Sequence, residues 1–545
     1  MASEGEAARP ATWRRLWPLA FVAVAAAVVW AIVADYGMTW DESVQSRYGD
    51  LALDYFRSGL RDRSYDDFWN LRYYGALFEM LASGAARLFP AHALEARHAC
   101  IAATAIAAVL GAVRFAGLLE MPLAPVFACL ALATLPPFFG NAFQNSKDVP
   151  FAAAFAWSLV ALAVFYGRER PRWRDAFVSG LAVGVALAVR VGGVVLFAYV
   201  AAGALHWWAL GGRGTAPAAR RAARIAAQTA LLGVLAWTLM VATWPFAHEA
   251  PIRNPLAALS VAAAFPVRFP VLFEGAYAKS DALPGRYLAE LIALKTPIAV
   301  LALGAVGFAV AIGRFAARPR SRAGLAALLV VGWVALPVVS FALLRPPAYD
   351  GLRHFLFVLP GVAILAAIGA ERAVAAIRAP ALRRVAVAAA ALVLLSPIAD
   401  LIRLHPYEMA YFNPLAGGVA RAWKRYDTDY WVASYREAME WIAGRVADGR
   451  RATVVVAATD YSLPCAERYA PPNVEVRALW EGGIDGPLAG PLPAGVDYYV
   501  ATTRVGLAAN FAESPIVHAV GRDGAVFTVV RASHDDGSEN RTASR

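Results

Sequence analysis

The chain has 545 residues, 59% of them hydrophobic and 17% charged, with a mean hydropathy of +0.50. An ordinary soluble domain carries about 45–50% apolar and about 25% charged residues, so this composition excludes a purely soluble enzyme, a disordered chain, a coiled coil and a nucleic-acid binder of the usual kind. Runs of about 20 apolar residues are what a bilayer requires, and the net charge of +11 becomes a question of where the charge lies.

In chain order, Arg14 and Arg15 precede a first apolar run at 16–34. It is long and lacks a clear cleavage site, so it reads as a signal anchor. Thr39-Trp40-Asp41-Glu42 follows, opening a helix through Tyr55, and a second helix is expected at 73–89. Further apolar spans are expected at 99–117, 123–139, 151–166, 176–190, 192–210, 225–245, 296–312, 323–344, 354–371 and 384–402. Four short loops at 167–175, 211–224, 313–322 and 372–384 carry four Arg each and no more than two acids. Such loops stay on the cytoplasmic side. Counting 73–89 as a span would put the 167–175 loop outside, so that helix, with Glu79 and Arg87, is expected in the outer interface or packed between spans. Eleven spans then place the N-terminus inside. The segments 35–98, 140–150, 246–295 and 345–353, and everything after the last span, lie outside.

From 403 the character changes. Ser434-Tyr435-Arg436-Glu437 has the form of a capping box. The helix it opens is followed by strand-like runs at 453–458, 474–479, 497–502 and 526–530, separated by Gly- and Pro-rich turns. The expected organisation is a transmembrane module at 1–402, with its outer loop at 35–98, a small α/β domain at 403–532 and a disordered tail at 533–545. Cys100 and Cys129 fall in spans and Cys465 has no outer partner, so no disulfide framework is expected.

Charge beside a membrane is costly, so its placement is informative. Asp41-Glu42 emerges from the first span: two carboxylates that can hold a metal or supply a general base, or that cap a helix. Lys147-Asp148 with Pro150 puts a second carboxylate on the same side, where Asp148 could equally open the next helix. Arg353-His354 enters the span at 354–371, and Arg suits a phosphate, although a snorkelling helix-end Arg would look the same. Lys295 sits similarly before a span, Arg72 stands where the 73–89 helix begins, and Arg190 between two spans reads as a deep phosphate partner or as the bridge of a tight hairpin. His405 to Asn413, through Tyr407, suits a sugar-facing wall or an interfacial belt.

These motifs, in order, resemble the GT-C superfamily of integral-membrane glycosyltransferases. The likeness is to the bacterial relatives of the dolichyl-phosphate-mannose protein mannosyltransferases and to the lipid A aminoarabinose transferases. Asp41-Glu42 after span one resembles the family's first-loop Asp-Glu motif. Leu71 to Gly75 occupies the place of its second stretch, and Lys147-Asp148 with Pro150 resembles its second-loop motif. Leu283-Pro284 through Tyr287, then Lys295-Thr296-Pro297, is similar to "LP…Y…KTP". Arg353-His354 with Leu359-Pro360 is similar to "R-[HY]…P", and His405 to Asn413 followed by Asp429-Tyr430-Trp431 to "HPY…YFN…DYW". Tyr73-Tyr74-Gly75 departs from the family's His/Lys-Pro-Pro.

The resemblance implies a polytopic helical GT-C fold and a polyprenyl-phosphate-linked sugar donor, with inverting transfer to a glycan, lipid or protein acceptor at the outer face of the cytoplasmic membrane. Asp41 would be the base, with Glu42 and Asp148 orienting the acceptor. Asp41 and Asp148 would hold a divalent metal (Mg, Mn or Zn) if one is used. Arg353, Lys295, Arg72 and His354 would take the donor phosphate, and Lys147, Tyr287, His405, Tyr407 and Asn413 would face acceptor or sugar. Membrane lipids are expected partners and nucleic acid is not. A flippase of lipid-linked sugars would also explain spans and cations, but transporters usually show repeats and midplane polar groups, and neither is evident. An envelope assembly protein would use the span-end residues only as anchors.

Overall fold

A computed structural model describes residues 10–68, 70–211, 217–447 and 449–533. Among them nine helices are long and apolar enough to cross a membrane, from Leu16–Asp35 to Pro380–Leu404. The other two expected spans are a helix of 17 residues, Trp173–Val189, and a broken one, Ala124–Ala133 followed by Pro136–Phe139. Their ends show that both run the full depth. The Glu371 carboxylate, at the far end of the helix Leu359–Ala375, accepts from the N–H groups of Leu123 (2.9 Å) and Ala124 (2.6 Å). Lys147, on the other side of the broken helix, reaches Asp41. Trp173–Val189 likewise starts beside the 167–172 loop and ends at Arg190, which pairs with Asp148. The break has a local cause. Proline at 136 and 137 cannot donate to the preceding turn, and the Thr134 hydroxyl bonds the Leu130 and Leu394 carbonyls.

The centre of the bundle is the helix Asp148–Tyr166, whose spanning window is 89% buried, as is that of Arg353–Ala375. Both are rich in Ala, and the second also in Gly, because other helices press on all sides. A Cβ at Gly307 would lie 1.8 Å from the Leu365 carbonyl oxygen, and one at Gly369 would lie 2.0 Å from that of Leu303. Small residues are what allow two backbones to meet so closely inside a membrane, where packing rather than water expulsion drives association.

The helix expected at 73–89 forms as a 3₁₀ turn, Leu71–Tyr73, and the helix Leu77–Leu88. Twelve residues cover only about 18 Å, too little to span. It lies on the helix Trp40–Arg57, where Arg87 bonds Asp50 and Asp54, and buried Glu79 pairs with Arg97.

The Arg-rich loops come together at the bundle end opposite Asp41. Arg168, Arg170, Arg172, Arg224 and Arg322 line one open recess, and Arg318 approaches Glu120, close in sequence to Leu123. Arg213 lies outside the described residues.

The C-terminal region forms a sheet of five strands, β3 (Ala452–Val456), β4 (Val474–Ala478), β5 (Tyr498–Thr502), β6 (Ile516–Arg522) and β7 (Ala525–Ala532). Their order across the sheet is β4-β3-β5-β7-β6. β3 runs parallel to β4 and β5, and β7 antiparallel to β5 and β6. Four strands fall where the sequence predicts them. β6 does not, because it is an edge strand with little buried on either face. Also unpredicted is the hairpin of β1 (Pro270–Phe273) and β2 (Ala276–Lys279). Its turn, Glu274-Gly275, has φ of 54° and 89° at both positions, the form a two-residue hairpin favours. The capping box predicted at Ser434–Glu437 does not form. The Ser434 hydroxyl donates to Asp429 (2.5 Å), and Glu437 accepts from Tyr407 and Arg522. The expected tail lies, from 534 on, outside the described residues.

Candidate active site

The site is assembled at the helix ends on the side of the C-terminal sheet. Asp41 stands in the first turn of Trp40–Arg57. Its Oδ2 accepts from Lys147 Nζ (2.8 Å) and Arg353 Nη1 (2.7 Å). Burial would raise this carboxyl, but the ammonium of Lys147 and the guanidinium of Arg353 outweigh it and hold the group well below the usual carboxylate range. Asp41 is one-fifth exposed, whereas Arg353 is 4% exposed.

Arg353 uses its other nitrogen, Nη2, on Asp350 Oδ2 (2.8 Å), and Asp350 Oδ1 meets Arg504 Nη2 (2.6 Å). The guanidinium of Arg353 also lies 5.0 Å from the ring centre of Tyr349 and 5.1 Å from that of Trp431, and aromatic faces of this kind hold a cation. Asp148, at the start of its helix, pairs with Arg190 and accepts from Asn145 Nδ2 (3.0 Å). The result is a row of alternating bases and acids, Lys147–Asp41–Arg353–Asp350–Arg504, drawn from four parts of the chain.

Beside it lies a cavity of about 330 Å³. Arg190, His354, Tyr74 and Tyr349 form its polar edge. Its walls are apolar, from Val195, Phe265, Phe341, Leu344 and Phe357 among others. Several of these walls belong to spanning helices, so the cavity offers the Arg190 cation at one end and hydrocarbon-like surface along the rest.

No family model and no curated protein matches the chain. Solved structures do. The archaeal oligosaccharyltransferase AglB from Archaeoglobus fulgidus, in complex with an inhibitory peptide and a dolichol-phosphate, superposes with a TM-score of 0.50 at 14% identity, over 90% of this chain and 70% of that one. ArnT from Cupriavidus metallidurans aligns over 96% of this chain and 99% of its own at 16% identity with a TM-score of 0.45. The same protein bound to undecaprenyl phosphate gives 0.47 at 15% identity, over 94% and 98%. The chain has the fold of AglB, the GT-C fold.

Within this GT-C fold the predicted site residues divide. Asp41, Lys147, Asp148 and Arg353 come together, and His354 lines the cavity with its ring 4.6 Å from that of Tyr349. Glu42 does not face the cations. Its carboxylate accepts from the N–H (2.8 Å) and hydroxyl (3.0 Å) of Thr39 and pairs with His98 (2.8 Å), which makes it the lock of the helix start. Asp41 is therefore not the cap, and it is free for other work.

Lys295 is buried and its ammonium donates to the carbonyls of Met409 (2.9 Å) and Tyr411 (3.4 Å), over the Phe412 ring. Burial pushes it down to about 7, with Asp427 pulling the other way. Arg72 bonds Asp66 (2.9 Å), away from Asp41. Tyr287 donates to the Gly351 carbonyl (3.3 Å), behind the Asp350 loop. Asn413 ties down the Ala293 and Thr296 carbonyls. Tyr407 bonds Glu437 (3.0 Å), and His405 bridges Glu408 (2.8 Å) and Asp35 (3.0 Å). The contacts of Lys295, Asn413 and His405 join the C-terminal region to the bundle.

Among the described residues no group of three or more His, Cys, Asp or Glu could hold a metal. Asp41 and Asp148, the proposed ligands, are each paired with Lys or Arg instead. A donor set made of ion-paired carboxylates does not fit a divalent cation, and no step below uses one.

Three members of the row and its surroundings carry little signal in the sequence: Arg190 reads equally as the bridge of a hairpin, Asp350 is one acid in a short outer loop, and Arg504 stands in a loop with no membrane signal. Asp427, buried near Arg504, is pushed up to about 6 by burial, against the pull of Arg504.

Proposed function

We propose that this protein is a membrane glycosyltransferase that moves a sugar from a polyprenyl-phosphate carrier to an acceptor hydroxyl. The observation that carries the reading is the Asp41 carboxylate held by Lys147 and Arg353, whose cations lie over the rings of Tyr74 and Tyr349 at the edge of an apolar cavity among the spans. A polyprenyl chain fills the apolar part, and its phosphate meets Arg190, His354 and Arg353.

In the reaction the acceptor oxygen attacks the anomeric carbon as the carbon–phosphate oxygen bond breaks, which inverts the centre. The acceptor proton passes to Asp41, and the bonding pair leaves with the polyprenyl phosphate. Negative charge grows on that phosphate, and preformed cations stabilise it. A phosphate arriving at Lys147 and Arg353 also competes with Asp41 for them, and a carboxylate relieved of two cations is the stronger base. Asp148 holds Arg190 in place.

The side of the membrane follows from the arginines. All four Arg-rich loops map to the end away from Asp41, which supports a cytoplasmic N-terminus and an outer active site in the cytoplasmic membrane. Lipid and envelope glycan analysis of a deletion strain tests the reading. Accumulation of a polyprenyl-phosphate sugar with loss of one glycan supports it, and an unchanged lipid-linked sugar pool overturns it.

A further inference from the structure

Arg504 belongs to the C-terminal sheet region, in the 3₁₀ turn Arg504–Ala509 that follows β5. Yet its side chain is 5% exposed and points into the bundle site. It pairs with Asp350 (2.6 Å), donates to the Tyr430 carbonyl (2.6 Å) and lies 4.5 Å from the Trp40 ring centre. Trp40 immediately precedes Asp41 in the chain.

The backbone around this contact is strained at three points. Asp350, Val432 and Val505 adopt φ of 58°, 55° and 45°. Positive φ is unusual for any residue with a Cβ and an outlier for a β-branched one. Each of the three is, or directly follows, a residue that holds Arg353 or its partner: Asp350 itself, Trp431 and Arg504. Strain of this kind persists only where the surroundings impose it, and it gathers at functional sites.

We infer that Arg504 is a positioning residue: by occupying one oxygen of Asp350 it leaves Arg353 a single oxygen there, and so keeps the other end of the Arg353 fork on Asp41 and available to an incoming phosphate. A guanidinium facing a carboxylate with both oxygens free takes it bidentately. Without Arg504, Arg353 turns both nitrogens to Asp350, which is 2% exposed and pairs with no other cation among the described residues. Asp41 then loses one of its two partners, and an incoming phosphate loses the guanidinium that lies over Tyr349 beside the cavity. The C-terminal domain thus completes the site through one arginine.

This inference rests on the proposed donor class, and the test separates the two. Full-length wild type, R504Q, R504K, D350N and R504Q/D350N are purified in detergent, and binding of undecaprenyl phosphate is titrated. R504Q is expected to bind about ten-fold more weakly and R504K to recover part of the loss. In the D350N background R504Q is expected to change affinity by less than two-fold, because the residue it acts through is gone. An unchanged R504Q affinity, or the same ten-fold loss in both backgrounds, overturns the relay. Thermal unfolding of the same proteins decides the relay without a donor: the Tm losses of R504Q and D350N are expected not to add, and additive losses overturn it. Wild type that binds no undecaprenyl phosphate, together with non-additive Tm losses, defeats the donor class and leaves the relay standing.

Discussion

Adjacent carboxylates in a sequence look equivalent, and the structure gives Asp41 and Glu42 opposite fates. The helical turn rotates successive side chains by about 100°, so Glu42 turns inward to Thr39 and His98 while Asp41 faces Lys147 and Arg353. Asp41→Asn keeps the shape and removes the proton acceptor. It is expected to insert and fold normally and to lower transfer about 100-fold or more, the usual weight of a general base. Full transfer by that variant would end the base role. Lys295 makes a pH prediction. Its folded value of about 7 lies below the ordinary 10.5, so between those values the unfolded chain binds more protons than the folded one. Stability therefore rises with pH across that window. Thermal unfolding of wild type and Lys295→Met in detergent, from pH 7 to 10, should show the contribution in the first and its loss in the second. That Lys295 meets the Met409 and Tyr411 carbonyls and no carboxylate could not be read from sequence, since its partners lie more than 100 positions away.

At the level of elements, the spans were legible wherever an apolar run was unbroken, because lipid imposes length and composition together. They were less so at Ala124–Phe139, where paired prolines divide a crossing that only the contact of Glu371 with Leu123 and Ala124 completes. The helix pair Ile298–Ala317 and Leu359–Ala375 makes a packing prediction. Gly307 and Gly369 each face a carbonyl with no room for a methyl group, so Gly307→Ala and Gly369→Ala must spread the helices. Overpacking of this kind costs about 1–3 kcal/mol. Both variants should unfold at lower temperature than wild type, and Gly313→Ala, whose Cβ would meet nothing within 4 Å, should not.

At the scale of the whole molecule, the four Arg-rich loops and the C-terminal sheet occupy opposite ends of the bundle, which gives an orientation to measure. With Cys100, Cys129 and Cys465 replaced, a single Cys at 170 should react with a membrane-impermeant maleimide only after the cells are opened. One at 533 should react in the intact outer face once the outer barrier is breached. The reverse pattern would turn the molecule over. The same arrangement shows what one-dimensional information carried. Apolar runs and arginine bias act through the bilayer, a solvent that reads each segment separately, so the sequence alone determined that the chain spans a membrane, which loops share a side, and that Asp41, Lys147, Asp148 and Arg353 lie on the other. Partnership is different. Whether a carboxylate caps its own helix or holds a distant cation depends on which surfaces the fold presses together. Only the tertiary structure could withdraw Glu42, Lys295 and Arg72 from the cluster, bring Arg190 to Asp148, and carry Arg504 from the C-terminal sheet to Asp350 across more than 150 positions of chain.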